Sequence, residues 1–329
     1  MSPHAHRVPD APGGGLREFD LIRRYFDRGP TRRAALGIGD DCALLAPATG
    51  CDLAVSTDML VAGTHFFEDT DPEALGHKAL AVNLSDLAAM GARPLAFTLA
   101  LALPRPDEAW LGAFSRGLFA LADRHGCELV GGDTTRGPLN VCITVFGEVP
   151  NGAALRRDHA EPGDDLWLSG CTGEAAHALR CRLQGRPLAA GDPAQLRLDR
   201  PEPRVALGLF LRHLARAAID VSDGLLGDLA HVCRRSRVGA EIDAASVPMP
   251  AALRALPPGD ALRLALAGGD DYELLFTAAP ENRAALAACA LPHGLTRIGR
   301  IVPGEDVRVL DARGARIDID VGGYEHFGA

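Results

Sequence analysis

Gly37-Ile38-Gly39-Asp40-Asp41-Cys42-Ala43 sets two carboxylates directly behind a paired-glycine turn, an arrangement with few purely structural uses. The theme returns at the ends of apolar runs, in Ser56-Thr57-Asp58, Asn83-Leu84-Ser85-Asp86, Gly131-Gly132-Asp133, Asp220-Val221-Ser222-Asp223 and Gly268-Gly269-Asp270-Asp271. A strand that stops at a glycine and presents an aspartate is shaped to hold a hard cation. Mg²⁺ takes oxygen ligands and is commonly shared between one or two carboxylates and substrate phosphates. The pattern therefore predicts a magnesium-nucleotide site assembled from many loops.

The chain has 329 residues, 47% of them hydrophobic and 23% charged, which is an ordinary globular composition with room for two domains. A formal net charge of −9 argues against a nucleic-acid surface, which would carry a basic stripe. A polyanionic substrate would need metal to approach these carboxylates. Residues 1–15 mix Pro, Gly and His without an apolar core and are expected to be a disordered tail, not a signal peptide. The longest apolar run, Leu95 to Leu103, is too short to span a bilayer. The expectation is a soluble, cytoplasmic protein with no membrane partner. Eight cysteines contain no C-x-x-C pair, so reduced and buried thiols are expected in preference to disulfides or a zinc site.

Punctuation is sharpest at Asp71-Pro72, an N-cap followed by proline at the first helical position, with Gly91 closing the element. Within that helix Leu75, Ala79, Val82 and Asp86 share one stripe, so Asp86 continues the apolar face and needs a partner to offset its desolvation. Lys78 and a cation are both candidates. Around it the pattern predicts a helix over 16–27, a short strand over 52–57 turning at Asp58, a strand over 95–103, a helix over 107–125, a strand over 127–130 ending at Gly131, and a strand over 141–149. Alternating strands and helices make residues 16–150 an N-terminal α/β domain. Residues 151–329 form a second one, with strands over 165–169, 217–221, 272–277, 298–302, 307–310 and 316–320. Its helices are expected over 173–183, 203–216 and 281–290, and over 223–235 with Ser222 as cap.

A P-loop, a complete dinucleotide fingerprint, the protein-kinase motif set and EF-hand spacing are all missing, so any nucleotide site is of another kind. A single Gly-Gly-Asp or Ser-Asp-Gly reads first as a turn. Taken together and in order, Gly37-Ile-Gly-Asp-Asp-Cys-Ala-Leu-Leu, Ser56-Thr-Asp-Met-Leu-Val-Ala-Gly-Thr-His-Phe, Asn83-Leu-Ser-Asp-Leu-Ala-Ala-Met-Gly-Ala-Arg-Pro, Gly131-Gly-Asp-Thr-Thr-Arg-Gly, Ile219-Asp-Val-Ser-Asp-Gly-Leu, Gly268-Gly-Asp-Asp-Tyr-Glu-Leu and the terminal Gly323-Tyr-Glu-His-Phe closely resemble the thiamine-monophosphate kinase family. The resemblance implies a two-domain α/β fold of the aminoimidazole-ribonucleotide-synthetase-like (PurM-like) type, paired as a homodimer through its N-terminal domains. It also implies ATP-dependent phosphorylation of thiamine monophosphate to thiamine diphosphate. By motif position Asp41, Ser56, Thr57, Asp58, Asp86, Asp133, Asp220 and Asp223 would hold several Mg²⁺ ions. Ser115, Gly132, Asp133, Arg157 and Ser222 would contact ATP, and His65, Asp270 and Tyr324 would line the thiamine-phosphate side. Asp270 departs from the pattern, because relatives commonly carry the longer Glu there. No covalent nucleophile is expected: phosphoryl transfer asks mainly for alignment and charge neutralisation, and the acceptor is already an ionised phosphate oxygen. Other readings are a different ATP-using enzyme of the same fold, a metal-dependent phosphohydrolase, or a non-catalytic metal-binding protein.

Overall fold

The computed structural model describes residues 18–289 and 294–319. The first half runs α1 (Glu18–Leu21), β1 (Ala34–Leu36), β2 (Leu44–Leu45), β3 (Cys51–Val61), α2 (Pro72–Ala89), β4 (Arg93–Leu103), α3 (Glu108–His125), β5 (Glu128–Arg136) and β6 (Asn140–Pro150). The second runs β7 (Asp165–Ser169), α4 (Glu174–Leu183), α5 (Pro193–Asp199), α6 (Val205–Leu211), β8 (Ala217–Val221), α7 (Leu225–Ser236), β9 (Gly239–Asp243), α8 (Ala251–Arg254), α9 (Pro258–Ala267), β10 (Glu273–Ala278), α10 (Arg283–Ala287), β11 (Leu295–Val302), β12 (Val307–Leu310) and β13 (Arg316–Ile317). Strands β3, β6, β4 and β5 form a four-stranded sheet in that order, and a seven-stranded sheet has the order β13-β12-β9-β11-β7-β10-β8. Among the described residues, no helix is long and apolar enough to cross a membrane, and all eight cysteines are free thiols, two of them buried and Cys42 exposed.

α2 is the axis of the molecule. Asp71 caps it, its carboxylate accepting from the Ala74 N–H at 2.8 Å. The helix then packs on α3, α6, the inner face of the first sheet, and strands β8 and β10 of the second. Glycines let it sit this deep: a Cβ on Gly76 would lie 2.1 Å from the Phe114 carbonyl oxygen, and one on Gly117 only 1.8 Å from that of Glu73. One apolar core runs from Leu80, Leu84, Phe97 and Phe114 into Ala218, Leu274 and Phe276, so the two sheets share it across α2. The other face of the second sheet, through Ile219, Val221 and Leu275, packs with α7 and α9 in a separate core.

Two expected turns are strand. β3 does not turn at Asp58 but pairs with β6 from Cys51 to Val61. β5 continues through Gly131-Gly132-Asp133 as far as Arg136, parallel to β4. Gly132 is required there, because a Cβ on it would meet the Leu99 oxygen at 1.9 Å. The helix expected over 203–216 is shorter, α5 precedes it unanticipated, and the one expected over 281–290 is a 3₁₀ turn leading into α10. Ser222 does not cap α7. The Asp228 carboxylate takes the Ser222 and Asp223 N–H groups instead, at 3.0 and 3.1 Å.

Candidate active site

Extended backbone alternates faces, and this sorts the acidic motif on β3. Ser56 and Asp58 face α2, while Thr57 faces away and shares a hydrogen bond with Thr144 at 2.8 Å. Toward α2, the Ser56 hydroxyl donates to Asp86 Oδ2 at 2.5 Å, and the Asp58 N–H donates to Asn83 Oδ1 at 3.0 Å. From the second sheet, β8 presents Asp220, which accepts from the Ser85 hydroxyl at 2.8 Å. Asp223 follows on the turn that Asp228 holds.

Two cavities meet at these groups. A front cleft of about 960 Å³ is lined by Asp58, Asp86, Asp220, Ser222 and Asp223. His65, Lys78, Asp270, Tyr272 and an apolar group of Phe66, Phe67, Leu179 and Leu183 line it as well. A rear cavity of about 580 Å³ is lined by Ser56, Arg156, Arg157, His231 and Arg235. Asp86 belongs to both.

The electrostatics of the junction are those of a site short of positive charge. Burial, then the facing Asp86 and Asp223, push Asp58 up to about 6. Burial and Asp86 push Asp220 up to about 8. Asp86 is raised by burial, with the Ser56 hydroxyl and Arg157 pulling the other way. Burial and Asp223 raise Asp228 to about 7. The donors are all oxygen, which suits a hard cation. Among the described residues no three His, Cys, Asp or Glu side chains already form a cage for one ion. The carboxylates line a gap instead, the arrangement in which phosphate oxygens complete the coordination.

Along the same cleft, Asp270 and Tyr272 hold left-handed backbone at φ 68° and 52°, which costs on the order of 1–3 kcal/mol each for a non-glycine residue. The turn is pinned by the Asp270 N–H on the Ser222 oxygen and the Tyr272 N–H on that of Val221, both at 2.8 Å. Behind it Asp271 accepts from the Gly173 N–H at 2.7 Å, and Glu273 is buried between Arg204, Arg197 and Ser169. Asp270 itself accepts from the Tyr272 hydroxyl at 3.1 Å and from Lys78 Nζ at 3.2 Å. Lys78 is therefore not the partner of Asp86, which has Ser56. His65, just beyond β3, accepts from the Val61 N–H on Nδ1 at 3.0 Å, so in the neutral ring the proton sits on Nε2.

Of the residues expected from the sequence, the junction gathers Ser56, Asp58, Asp86, Arg157, Asp220, Ser222 and Asp223, with His65 and Asp270 along the front cleft. It does not gather the others. Asp41 is exposed between β1 and β2, its N–H on the Asp40 side chain at 2.8 Å. Ser115 is buried on α3 with its hydroxyl on the Gly112 oxygen at 3.2 Å, a bond within the helix rather than toward a ligand. Gly132 and Asp133 lie on β5, at the far edge of the first sheet. Register places Met59, Cys142, Ala100 and Asp133 in one row on the face turned away from α2, beside the row of Thr57, Thr144, Thr98 and Gly131. Tyr324 lies outside the described residues. Lys78, Tyr272 and His231 were missed as site residues; composition held a signal for the first, which is the chain's single lysine.

Residues 39–149 match the family model "AIR synthase related protein, N-terminal domain", and residues 161–312 match its C-terminal counterpart. The chain is 49% identical over 319 residues to thiamine-monophosphate kinase of Escherichia coli (strain K12), covering 94% of this chain and 98% of that one. Among solved structures, thiamine-monophosphate kinase from Stenotrophomonas maltophilia K279a superposes with a TM-score of 0.81 at 52% identity, over 88% of this chain and 94% of that one. A second structure, described as AaThiL complexed with AMPPCP and TMP, superposes with a TM-score of 0.75 at 30% identity, over 86% and 89%.

Proposed function

Since the chain belongs to the thiamine-monophosphate kinases of the AIR synthase related family, we propose that its ATP-dependent phosphorylation of thiamine monophosphate occurs in line at the junction of the two cavities, with magnesium held by the carboxylates there. The observation that carries this reading is the shared wall: among the described residues, Asp86 alone lines both cavities. Arg157 and Arg235, beside an Arg156 paired with Asp158, give the rear cavity a cationic lining for a nucleotide. The front cleft has the apolar lobe and the polar floor for a thiamine ring system and its phosphate. The solved relative named for AMPPCP and TMP is consistent with two such ligands in one molecule.

Asp58, Asp86, Asp220 and Asp223, with the Ser56 hydroxyl, would hold the magnesium ions. Bound there, these would neutralise phosphate charge and align donor with acceptor. The chain's own part is positional. Ser56 fixes the Asp86 carboxylate, Ser85 fixes Asp220, and Asp228 holds the turn that carries Ser222 and Asp223. An acceptor phosphate oxygen attacks the γ-phosphorus, the bond to the β-phosphate oxygen breaks, and ADP leaves. No protein nucleophile or base is needed, because that oxygen is already ionised near neutral pH.

A homodimer completes the reading. The first sheet is covered by α2 on one face; the other carries the β1–β2 segment over Ala96 and Phe146 but leaves Val55 and Met59 exposed at 55% and 52%. A second copy seated there would cover the rows that hold Thr57 and Asp133 and give both a setting that one chain lacks. The decisive experiment is product analysis after incubation with Mg-ATP and thiamine monophosphate. The expected products are thiamine diphosphate and ADP in equal amounts, and ADP with free phosphate alone would assign a phosphohydrolase instead.

A further inference from the structure

Of 34 Lys and Arg residues in this chain, one is lysine: Lys78. Wherever else the sequence needs a cation it uses arginine. The buried carboxylates show the rule. Glu273 is met by Arg197 and Arg204, Asp165 by Arg283 and Arg297, and Asp164 by Arg216. A forked guanidinium suits a carboxylate that never moves, whereas an ammonium is a compact charge with three rotatable donors. Lys78 meets, at 3.2 Å, an Asp270 whose side chain is 30% exposed.

Its placement gives that contact meaning. Lys78, Val82 and Asp86 recur every four residues on α2, and all three line the front cleft. Eight residues at about 1.5 Å each put Lys78 about 12 Å along the axis from Asp86, toward His65 and Asp270. Among the described residues it is the only Lys or Arg lining this cleft, where Asp58, Asp86, Asp199, Asp220, Asp223 and Asp270 supply only negative charge. The side chain is 5% exposed, so its charge acts with little screening.

We infer that Lys78 binds the phosphate of the acceptor, its ammonium passing from Asp270 to a phosphate oxygen when thiamine monophosphate enters the front cleft. This rests on the reading of that cleft as the acceptor side. Asp270 is then the resting partner that keeps the ammonium satisfied before the acceptor arrives.

The test compares wild type with Lys78→Met by calorimetric titration of thiamine monophosphate and of unphosphorylated thiamine, together with steady-state kinetics. Lys78→Met should weaken thiamine monophosphate binding by about 10- to 100-fold while leaving thiamine binding and the KM for ATP within about threefold. Lys78→Gln, which keeps a polar head in the same space, should give the same split if the methionine variant does not fold. Unchanged thiamine monophosphate affinity, or equal loss for thiamine and its phosphate, would overturn the assignment. So would recovery in Lys78→Met/Asp270→Asn, because it would mean that the lysine merely neutralises Asp270. Wild-type protein that makes no thiamine diphosphate at all would instead overturn the reading of the cleft, an outcome separable from any result on Lys78.

Discussion

Carboxylates that face one another across the junction leave a signature in pH. Asp58, Asp228 and Asp220 sit at about 6, 7 and 8 in the folded protein, against an ordinary 3.8. A carboxyl raised in this way binds its proton more tightly folded than unfolded, so stability falls as pH rises. The fall begins near pH 4, where the unfolded chain ionises, and flattens above about 8. Glu273 and Asp165, held low by their arginines, act in the opposite sense only in the acid range, and His77, His125 and His177, lowered by burial, oppose the fall up to about pH 6.5; the carboxyl shifts outweigh them above that. Thermal unfolding in a chelator should therefore give a lower Tm at pH 8 than at pH 5, and added Mg-ATP should raise Tm more at pH 8. A Tm flat or rising from pH 5 to 8 would count against this account. The same repulsion governs Asp86→Asn. Turnover should drop by about 100-fold or more, as for loss of a strong electrostatic contact to the reacting groups, whereas stability in chelator at pH 8 should stay level or rise by about 1–2 kcal/mol. Full activity at limiting Mg²⁺ would remove Asp86 from the metal site.

Among the elements, α2 and α3 were legible because their ends are written locally: Asp71-Pro72 and Asp107 before, Gly91 and Gly126 after, with both aspartates accepting from the N–H three residues on. Strand ends were not. Ser56-Thr57-Asp58 and Gly131-Gly132-Asp133 carry turn composition, yet they lie in the middle of strands because β6 and β4 pair with them from far along the chain. That misreading also hid the division of the acidic motifs between two faces of one sheet. The motifs named the site residues, but only pairing register decides which way each points. Ser222 shows the same limit: it has the composition of a cap, and Asp228 six residues on supplies the acceptor. The packing of α2 on α3 gives a direct test. Gly117→Ala drives a methyl into the Glu73 backbone oxygen and should cost about 1–3 kcal/mol or more. It should lower Tm without a selective change in either substrate's KM. A variant as stable as wild type would mean that the two helices can separate freely.

In the whole molecule the half-covered outer face of the first sheet is the feature that one chain leaves unfinished. Val55→Asp with Met59→Asp places charge at two of the three exposed large apolar positions of β3, the third being Leu53, without touching the Ser56 and Asp58 face. Light scattering should show a dimer for wild type and a monomer for the variant, and a monomeric wild type would leave that face without the proposed occupant. The depth of α2 has a different consequence. Because this one helix contributes to both cavities, the spacing between donor and acceptor is written into a rigid rod rather than into the angle between two lobes. Movement of the α4 wall, through Ala176, Leu179 and Leu183, would admit or release a ligand without altering that spacing. The rod then works as a gauge of acceptor length. On the proposed reading, thiamine would fall short of the junction for want of a phosphate, and thiamine diphosphate would extend past it by one. An enzyme built on such a gauge adds one phosphoryl group and stops.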